Sequence, residues 1–261
     1  MASTYPVKPA PNLAGAACPN CGLLAWCVPA GMDSQQTERI YKLTEHQQLK
    51  RRGEFLHRAG TALKSLTMIR SGSVKSCITN MDGDEHITGF SFSGDLVGAD
   101  AIDGGKYLYD VVALQESTAC RISFGEFERL SRGIPVLQHH FNAVMGREIT
   151  RNYGLMMQLG CMSAEQRVAQ FLLNISGRYA ARGYSSTRFH LHMSRREIAS
   201  YLGLKHETVS RVFSNFRRDQ LVAMDCKYTE IMNLGGLQEI TGERQLESRS
   251  LHQTRSSRRA G

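Results

Sequence analysis

The chain has 261 residues, a length that favours two domains, each large enough to bury a core of its own. It contains no apolar run long enough to span a bilayer and no secretory signal, so we expect a cytoplasmic protein with no membrane partner. Its seven cysteines are unevenly spaced, with three of them inside ten residues, which favours metal or redox chemistry over disulfides.

The formal net charge of +8 is concentrated in the C-terminal third. Residues 1–164 contain 16 Lys and Arg against 15 Asp and Glu, whereas residues 165–230 contain 11 against 6 and residues 231–261 contain 5 against 3. A basic domain beside a nearly neutral one indicates a polyanionic partner for the former and a sensing or protein-binding role for the latter. DNA, RNA and an anionic lipid surface would each satisfy the charge alone.

The N-terminal half predicts a leader, a short helical segment and a β-rich unit. Prolines and small residues without periodicity predict a flexible leader at residues 1–17, and residues 35–51 predict one helix or two short ones. Residues 55–124 show short alternating runs separated by glycines, with no helix-length segment between them. This pattern predicts an antiparallel roll or barrel, and we place a sensor domain at residues 18–133.

A long helix is predicted at residues 134–160. Its apolar residues fall roughly on one stripe: Leu137, Phe141, Val144, Met145, Ile149, Leu155, Met156 and Leu159. The stripe is interrupted by Arg147, Glu148, Arg151 and Asn152. An ordinary amphipathic helix lying on the roll is one interpretation. We favour a dimerisation helix. Its polar residues would weaken the helix–helix interface enough for dimerisation to be switched on and off.

A winged helix-turn-helix domain is predicted at residues 161–240, opening with a helix at residues 164–179. Ser194 and Glu197 have the spacing of a capping box, in which the serine hydroxyl accepts from the helix backbone and the glutamate reaches back. They begin a further helix. Gly203 then permits a sharp turn into a second helix of the motif.

The residues after this motif predict a β-hairpin and a tail. Residues 221–224 and 228–231 predict the hairpin, which would form the wing, and the Ser- and Arg-rich residues 241–261 predict a disordered basic tail. Two short helices around a glycine also occur in proteins that bind no DNA. The shape of the motif alone therefore does not decide its function.

The second helix of the motif carries Glu207, Ser210 and Arg211 at i, i+3 and i+4, and therefore on one face. Arg211 can form a bidentate pair with guanine, Glu207 can accept from the cytosine amino group, and Ser210 can bond a base or a phosphate. A solvated Glu–Arg pair is the structural alternative. The flanking basic residues would neutralise phosphates: Lys205, His206, Arg217 and Arg218.

Three cysteines lie in one loop with the spacing Cys18-x2-Cys21-x5-Cys27, which suits a common metal centre. A fourth ligand must come from elsewhere, and the candidates are Cys77, Cys120, Cys161 and Cys226. Those at positions 77 and 120 lie on predicted strands of the sensor domain. Four thiolates suit an iron-sulfur cluster or zinc, although structural zinc more often uses two tight Cys pairs. We expect the unused cysteines in the core.

Together these features resemble the Crp/Fnr superfamily of transcription regulators, and within it the FNR type, the fumarate and nitrate reduction regulators. The resemblance spans roughly residues 18–240. Its most specific parts are the cysteine loop followed by Cys120 after a gap of 92 residues, the segment Gly94-Asp95-Leu96-Val97-Gly98, and the segment Glu207-Thr208-Val209-Ser210-Arg211. The resemblance implies an α+β fold with an antiparallel β-roll of the cyclic-nucleotide-binding type (a jelly roll or double-stranded β-helix), a dimerisation helix and a C-terminal winged helix-turn-helix.

The resemblance also implies a function. It implies one oxygen-labile 4Fe-4S cluster per subunit on Cys18, Cys21, Cys27 and Cys120, intact under anoxia and promoting a homodimer. The dimer would bind palindromic promoter DNA with TTGAT and ATCAA half-sites, read by Glu207, Ser210 and Arg211. It would mainly activate genes of anaerobic metabolism by contacting RNA polymerase. The turn Asp82-Gly83-Asp84-Glu85 lies where one such contact is expected.

Three positions depart from relatives in the superfamily. Nucleotide-binding members hold the ribose with a glutamate and the phosphate with an arginine, where this chain has Ala99 and Asp110. A carboxylate repels a phosphate, so we expect no cyclic nucleotide. Lys205 replaces the usual hydroxyl N-cap of the recognition helix, which should cost about 1 kcal/mol.

Two rival functions follow from the same residues. A regulator of the same type with a structural zinc or a small-molecule effector is the closer rival. An enzyme is the more distant one, because the sequence contains no Ser/His/Asp triad signature, phosphate-cradling loop or dinucleotide fingerprint.

Overall fold

The computed structural model describes Cys27, Pro29, residues 31–49 and residues 51–242. The chain divides into two compact units immediately after Tyr153, inside a long helix. The division separates a β-rich unit from a mainly helical one.

Some predictions lie outside the described residues. These are the flexible leader at residues 1–17, Cys18, Cys21 and the basic tail beyond Gly242. Among the helices that the structure does describe, none has the length and apolar character needed to cross a membrane.

The first unit is an antiparallel β-roll flanked by helices. Its elements are helix α1 (Ser34–Leu43), strands β1 (Thr44–Leu49), β2 (Phe55–His57), β3 (Ser65–Ser71), β4 (Ser73–Thr79), β5 (Glu85–Phe92), β6 (Leu96–Val97), β7 (Asp110–Ala113) and β8 (Ser117–Ser123), helix α2 (Phe124–Gly133) and the long helix α3 (Pro135–Cys161), which continues into the second unit. The strands form two antiparallel sheets, in the orders β1-β8-β3-β6 and β2-β7-β4-β5. The predicted antiparallel roll is confirmed.

The core of the roll is a set of aliphatic side chains contributed by both sheets. Its members are Leu49, Leu56, Ile69, Val74, Val97, Val111, Ala113 and Ala119. On β8, Ala119 alternates with more exposed neighbours, whereas β3 and β7 are buried on successive positions over most of their length. The glycine-bounded runs of the sequence therefore correspond to strands that line the core of the roll.

The helix predicted at residues 35–51 is wrong in its second half. Asp33 caps α1 by accepting from the Gln36 backbone at 2.7 Å, but α1 ends at Leu43. The residues of β1 that follow pair antiparallel with β8, in a register running from Thr44 opposite Ile122 to a buried Leu49. Their polar composition gives no strong alternation, and the partner strand that overrides the local helical preference is distant in sequence.

A second apolar cluster joins the helices of this unit to β8. We call it the helical cluster; it consists of the buried Leu130, Ile134 and Leu137 and the partly buried Met32, Ile40, Leu43, Ile122, Phe127 and Val136. Pro135 occupies the first position of α3, where its fixed φ favours a helix start and its missing N–H has no cost. The cluster therefore holds α1, α2 and the beginning of α3 together on the roll.

The second unit is a winged helix-turn-helix. Beyond the end of α3 it contains helix α4 (Ala164–Ala180), strand β9 (Arg188–His190), helices α5 (Arg195–Leu202) and α6 (His206–Arg218), strands β10 (Val222–Asp225) and β11 (Tyr228–Ile231) and helix α7 (Leu234–Thr241). The strands form one antiparallel sheet in the order β10-β11-β9. The predicted helices and the hairpin are confirmed, while α2, β9 and α7 were not predicted.

One histidine of the roll is partly buried against an aromatic ring. His57 stacks on Tyr107 with ring centroids 3.9 Å apart and an interplanar angle of 11°. The Tyr107 hydroxyl donates to the Ser65 carbonyl at 2.9 Å, which fixes the ring. Within the described residues the buried Nε2 of His57 has no hydrogen-bond partner. Burial lowers the pKa of His57 to about 4, so the imidazole is neutral at pH 7.

We therefore predict that the roll loses stability as the pH falls from 7 to 5. An unfolded histidine has a pKa of 6.5, so in this range the unfolded chain binds a proton that the folded chain does not. The difference amounts to about 2 kcal/mol of unfolding free energy at pH 5. Urea unfolding of the full-length protein at both pH values should show this loss in the wild type. The loss should be smaller by that amount in His57→Phe, which keeps the ring stack. Equal acid sensitivity of the two proteins would contradict this assignment.

Candidate metal centre and DNA-binding surface

Cys120 lies in the middle of β8, on the outer face of its sheet. Its neighbour Ala119 belongs to the roll core, so alternation along the strand turns the cysteine away from that core. Across the sheet it pairs with His46 of β1 and Met68 of β3. Its Sγ lies 3.4 Å from Nδ1 of His46, and the residue is only partly buried. The thiol is thus accessible at a defined place on a rigid strand.

The same face of β8 carries a residue of the helical cluster. Ile122, two positions beyond Cys120, packs with Met32 and the three helices of that cluster. A Cβ added at Gly31 would stand 3.9 Å from Cγ2 of Val136, in the first turn of α3. Gly31, four positions after Cys27, therefore lies against the beginning of α3.

Cys77, the other strand cysteine, is in a different environment. It is 2% exposed in the core, and burial raises the pKa of its thiol to about 12, with Glu85 adding a smaller effect in the same direction. A thiol with that pKa stays protonated, and metals bind the thiolate. Of the two sensor-unit candidates for a fourth ligand, Cys120 is the one suited to bind a metal.

The expectation that unused cysteines lie in the core is correct for Cys77 and wrong for Cys161 and Cys226, which are exposed. Cys161 is the last residue of α3. Cys226 occupies the tight turn between β10 and β11 with a φ of 52°, where the chain reverses at the surface. A buried environment was inferred from residue type alone, and position in the fold overrides it.

Half of the predicted metal quartet can be placed. Cys27, like Cys120, is partly buried, and both belong to the first unit. In the part of the chain that the structure describes, no three His, Cys, Asp or Glu side chains are close enough to hold a metal ion. Cys18 and Cys21 lie outside that part.

The helix-turn-helix is formed by local interactions that its sequence encodes. The Ser194 hydroxyl accepts from the Glu197 backbone at 3.2 Å, and the Glu197 carboxylate accepts from the Ser194 N–H at 2.7 Å. The predicted capping box is confirmed. Gly203 ends α5 in the left-handed region with a φ of 61°, which a residue with a Cβ adopts only with strain.

Helix α6 separates a buried face from a polar one. Its buried residues are Val209, Val212, Phe213 and Phe216. On the other side Glu207 and Arg211 are exposed and Ser210 is partly exposed, at the i, i+3 and i+4 positions expected. Glu207 and Arg211 are both open to solvent, and within the described residues the structure shows no ion pair between them.

The basic residues around this face differ in what they contact. Lys205, His206 and Arg217 are exposed, whereas Arg218 donates to the Asp219 carboxylate at 3.0 Å. Lys205 is the N-cap of α6 and its side chain makes no capping bond, as expected. The first N–H groups of α6 therefore receive no capping bond from the N-cap side chain.

Arg195 has a role that the sequence did not reveal. Its guanidinium carbon lies 3.4 Å from the centroid of the Phe213 ring, and its Nη2 donates to Sδ of Met224 at 2.9 Å. Burial lowers the pKa of this group to about 10. One arginine thus connects α5, α6 and β10, and it belongs to the interior of the domain, not to its charged surface.

Comparison with known proteins agrees with both units. The sequence profile of the Crp-like helix-turn-helix domain matches residues 166–240, and that of the cyclic nucleotide-binding domain matches residues 48–133. The chain is 41% identical over 226 residues to the transcriptional regulatory protein btr of Bordetella pertussis, covering 87% of this chain and 93% of that protein. It is 36% identical over 225 residues to the fumarate and nitrate reduction regulatory protein of Escherichia coli K12, covering 86% of this chain and 90% of that protein.

The chain belongs to the Crp/Fnr family. Its members are DNA-binding transcription regulators, not enzymes, and they are dimeric. The solved structure of FixK2 from Bradyrhizobium japonicum has the same fold, with a TM-score of 0.69 at 23% identity over 76% of this chain and 96% of that one. The resemblance read from the sequence is confirmed at the level of family and fold.

The loop that binds nucleotide in some Crp/Fnr members has other contacts here. Ala99 opens a short 3-10 helix, and the Asp110 carboxylate accepts from the Ala59 N–H at 2.8 Å. A Cβ at Gly98 would lie 3.0 Å from the Tyr107 ring, so that ring packs directly on the loop backbone. The Tyr107 ring thus packs against the Gly98 backbone, whereas the Asp110 carboxylate binds the residues that follow β2.

The acidic turn between β4 and β5 is built around one side chain. Asn80 Oδ1 accepts from the backbone N–H groups of Asp82 and Asp84 at 3.0 and 2.8 Å. Both aspartates are exposed, and Gly83 between them has a φ of 85°. Glu85 differs because it forms an ion pair with Lys75. The turn therefore presents two carboxylates on a rigid loop.

We predict that the missing cap of α6 can be supplied. Lys205→Ser should stabilise the protein by about 1 kcal/mol relative to Lys205→Ala, because only serine accepts from the first-turn N–H groups. Both variants remove the same charge, so their difference isolates the cap. Urea unfolding of the full-length proteins measures it, with Ser194→Ala as the opposite case, a loss of about 1 kcal/mol. Equal stability of the serine and alanine variants would mean that the cap position is already satisfied.

Proposed function

We propose that this Crp/Fnr regulator is an oxygen-responsive transcription regulator of the FNR type, with a 4Fe-4S cluster held by Cys18, Cys21, Cys27 and Cys120. The observation that carries the proposal is the contrast between Cys120 and Cys77. The first is an accessible thiol beside the helical cluster, and the second is a buried thiol kept protonated by its surroundings. The match of the cysteine loop and its distance to Cys120 with the FNR pattern supports the same assignment.

The donor set fits an iron-sulfur cluster. All four residues are cysteines, the usual ligands of such clusters, and no carboxylate replaces one of them. The described pair lies in the same unit as the helical cluster. When bound, the group supplies an oxygen-sensitive cross-link between the cysteine loop and strand β8.

The chain between these ligands gives the cross-link a mechanical effect. Met32 follows Cys27 by five positions and packs in the helical cluster with Leu137 of α3. Tying the loop to Cys120 would restrain Met32. Ile122, on the same strand as Cys120, already packs in the helical cluster with Met32. The residues at the beginning of α3 are thereby fixed on the roll.

A fixed α3 favours dimerisation, because this helix exposes apolar side chains in its second half. Ile149, Tyr153, Met156 and Met157 are 54%, 64%, 66% and 63% exposed. Such a surface suits a second copy of the helix. We assign residues 18–133 to the sensor, residues 134–160 to the dimerisation helix and residues 161–240 to DNA binding, in a cytoplasmic protein.

The dimer would bind promoter DNA with TTGAT and ATCAA half-sites. Glu207, Ser210 and Arg211 face outward from α6 and would contact base edges, while Lys205, His206 and Arg217 would contact phosphates. Two linked domains bind far more tightly than one because the second contact is intramolecular. Asp82 and Asp84 would contact RNA polymerase, and the pairing of Glu85 with Lys75 makes it the weaker candidate.

The cluster assignment predicts the behaviour of two cysteine variants. Protein purified without oxygen should be brown, contain acid-labile sulfide and bleach in air. Cys120→Ser should lose the sulfide, sediment as a monomer and lose binding to the palindrome, whereas Cys226→Ser, which changes an exposed cysteine of the second unit, should behave as wild type. A colourless, zinc-containing wild type would refute the cluster. A Cys120→Ser protein that still dimerises would refute the coupling.

The base-reading assignment predicts different losses for two exposed arginines of α6. Arg211→Ala should lose about 1–3 kcal/mol per half-site on the palindrome and stop discriminating against replacement of the contacted G·C pair. Arg217→Ala should weaken binding to all sequences equally and reduce the salt dependence of the affinity. Fluorescence anisotropy across a salt series separates the two effects. If Arg211→Ala, like Arg217→Ala, lost the same affinity for every DNA sequence, Arg211 would contact a phosphate and not a base.

A further inference from the structure

One arginine of α4 donates to three backbone carbonyl groups. From Arg167, Nε donates to the Met162 carbonyl at 3.0 Å, Nη1 to the Leu202 carbonyl at 3.0 Å, and Nη2 to the Leu159 carbonyl at 2.9 Å. Leu159 is in the last turn of α3 and Met162 follows that helix, whereas Leu202 is the last residue of α5. A single guanidinium therefore caps the C-terminal ends of two helices that are far apart in sequence.

These carbonyls are the groups that a helix leaves unsatisfied at its C-terminal end, where a positive charge is also favourable. The planar guanidinium can direct several N–H groups to different acceptors at once, which the point charge of a lysine cannot do. Arg167 is itself fixed, because Ser163 and Gln166 form a capping box at the start of α4. The three bonds thus originate from a rigid position.

A separate contact joins the same two places. A Cβ added at Gly203, in the turn between α5 and α6, would lie 3.3 Å from Cδ2 of Leu159 and 3.7 Å from Nη1 of Arg167. The turn of the helix-turn-helix therefore packs directly on the last turn of α3. Polar bonds and apolar packing both connect the end of the long helix to the DNA-reading motif.

We propose that Arg167 is a positioning residue: it holds the turn of the helix-turn-helix to the last turn of α3 and so sets the distance between the two recognition helices of a dimer. Since Leu159 lies on the same helix as the exposed Met156 and Met157, the pairing of two α3 helices through these residues would fix where each α6 stands. Arg167 makes no contribution to the affinity of one domain for one half-site. It determines whether two domains match two half-sites at one spacing.

The proposal rests on the proposed function, in that it requires DNA binding as a dimer. Its test does not assume that the DNA site has TTGAT and ATCAA half-sites. Duplexes are first selected from a random pool by the wild-type, full-length protein purified without oxygen. Recovery of TTGAT and ATCAA half-sites tests the proposed function separately. The selected palindrome is then made with its natural spacer, with spacers longer by one and two base pairs, and as a single half-site.

Wild type should bind the natural spacing much more tightly than the altered ones. In Arg167→Gln the half-site affinity should stay within about twofold, the palindrome affinity should fall about tenfold or more, and the preference for one spacing should largely disappear. Leu159→Ala removes the apolar contact without changing charge and should shift spacing preference in the same direction. Arg182→Gln is the matched control, because Arg182 donates to the Arg178 carbonyl of its own helix and should leave the preference unchanged.

Two results would overturn the proposal. If Arg167→Gln kept the wild-type spacing preference, the clamp would not set the distance between the recognition helices. If it lost half-site and palindrome affinity equally while circular dichroism showed a folded protein, Arg167 would act within one domain. Should Arg167→Gln fail to fold, Leu159→Ala carries the same comparison, and an unchanged spacing preference in that variant would reject the proposal.

Discussion

The first unit depends on the helical cluster. Leu130, Ile134 and Leu137 are buried where α2 ends and α3 begins, and the partly buried residues around them come from α1, from β8 and from the segment after Cys27. Burial of such side chains contributes about 1.5–3 kcal/mol each, so this contact is strong enough to define the position of the elements that meet there. Met32 and Ile122 of β8 therefore contact the start of α3 through packed side chains.

The middle of α3 shows how the charged residues of this helix are accommodated. Arg151 donates to Glu148 at 2.8 Å and lies 3.7 Å from the carboxylate of Asp95, which is buried in the turn before β6 and also accepts from the Phe92 N–H. Unpaired, a carboxylate buried to this extent would be costly. Two of the charges that interrupt the apolar stripe, Glu148 and Arg151, thus have partners inside one protomer, and the exposed apolar residues further along are left for another surface.

Local sequence signals predicted the elements that local interactions stabilise. The capping box at Ser194 and the left-handed Gly203 were predicted correctly because both depend on neighbours within a few residues. Strand β1 was not, since its partner β8 lies more than 70 positions away. The choice of Cys120 over Cys77 as a ligand came from family resemblance, and only burial supplies a physical reason for it. The contacts of Arg195 with Phe213 and Met224 and of Arg167 with Leu202 were not predicted, because these partners are distant in sequence.

The composition of the second unit also overstates the number of basic side chains that could contact a polyanion. Residues 165–230 contain 11 basic residues, yet several are used internally: Arg167 and Arg195 in packing, Arg188 with Glu230, and Arg218 with Asp219. The exposed pairs contribute little to stability, but they reduce the charge available to a polyanion. Around α6, the exposed basic residues that form no ion pair within the described part of the chain include Lys205, His206, Arg211 and Arg217. The net charge alone would assign the whole domain to DNA, whereas the partners of the other arginines leave a smaller set of basic side chains beside the recognition helix.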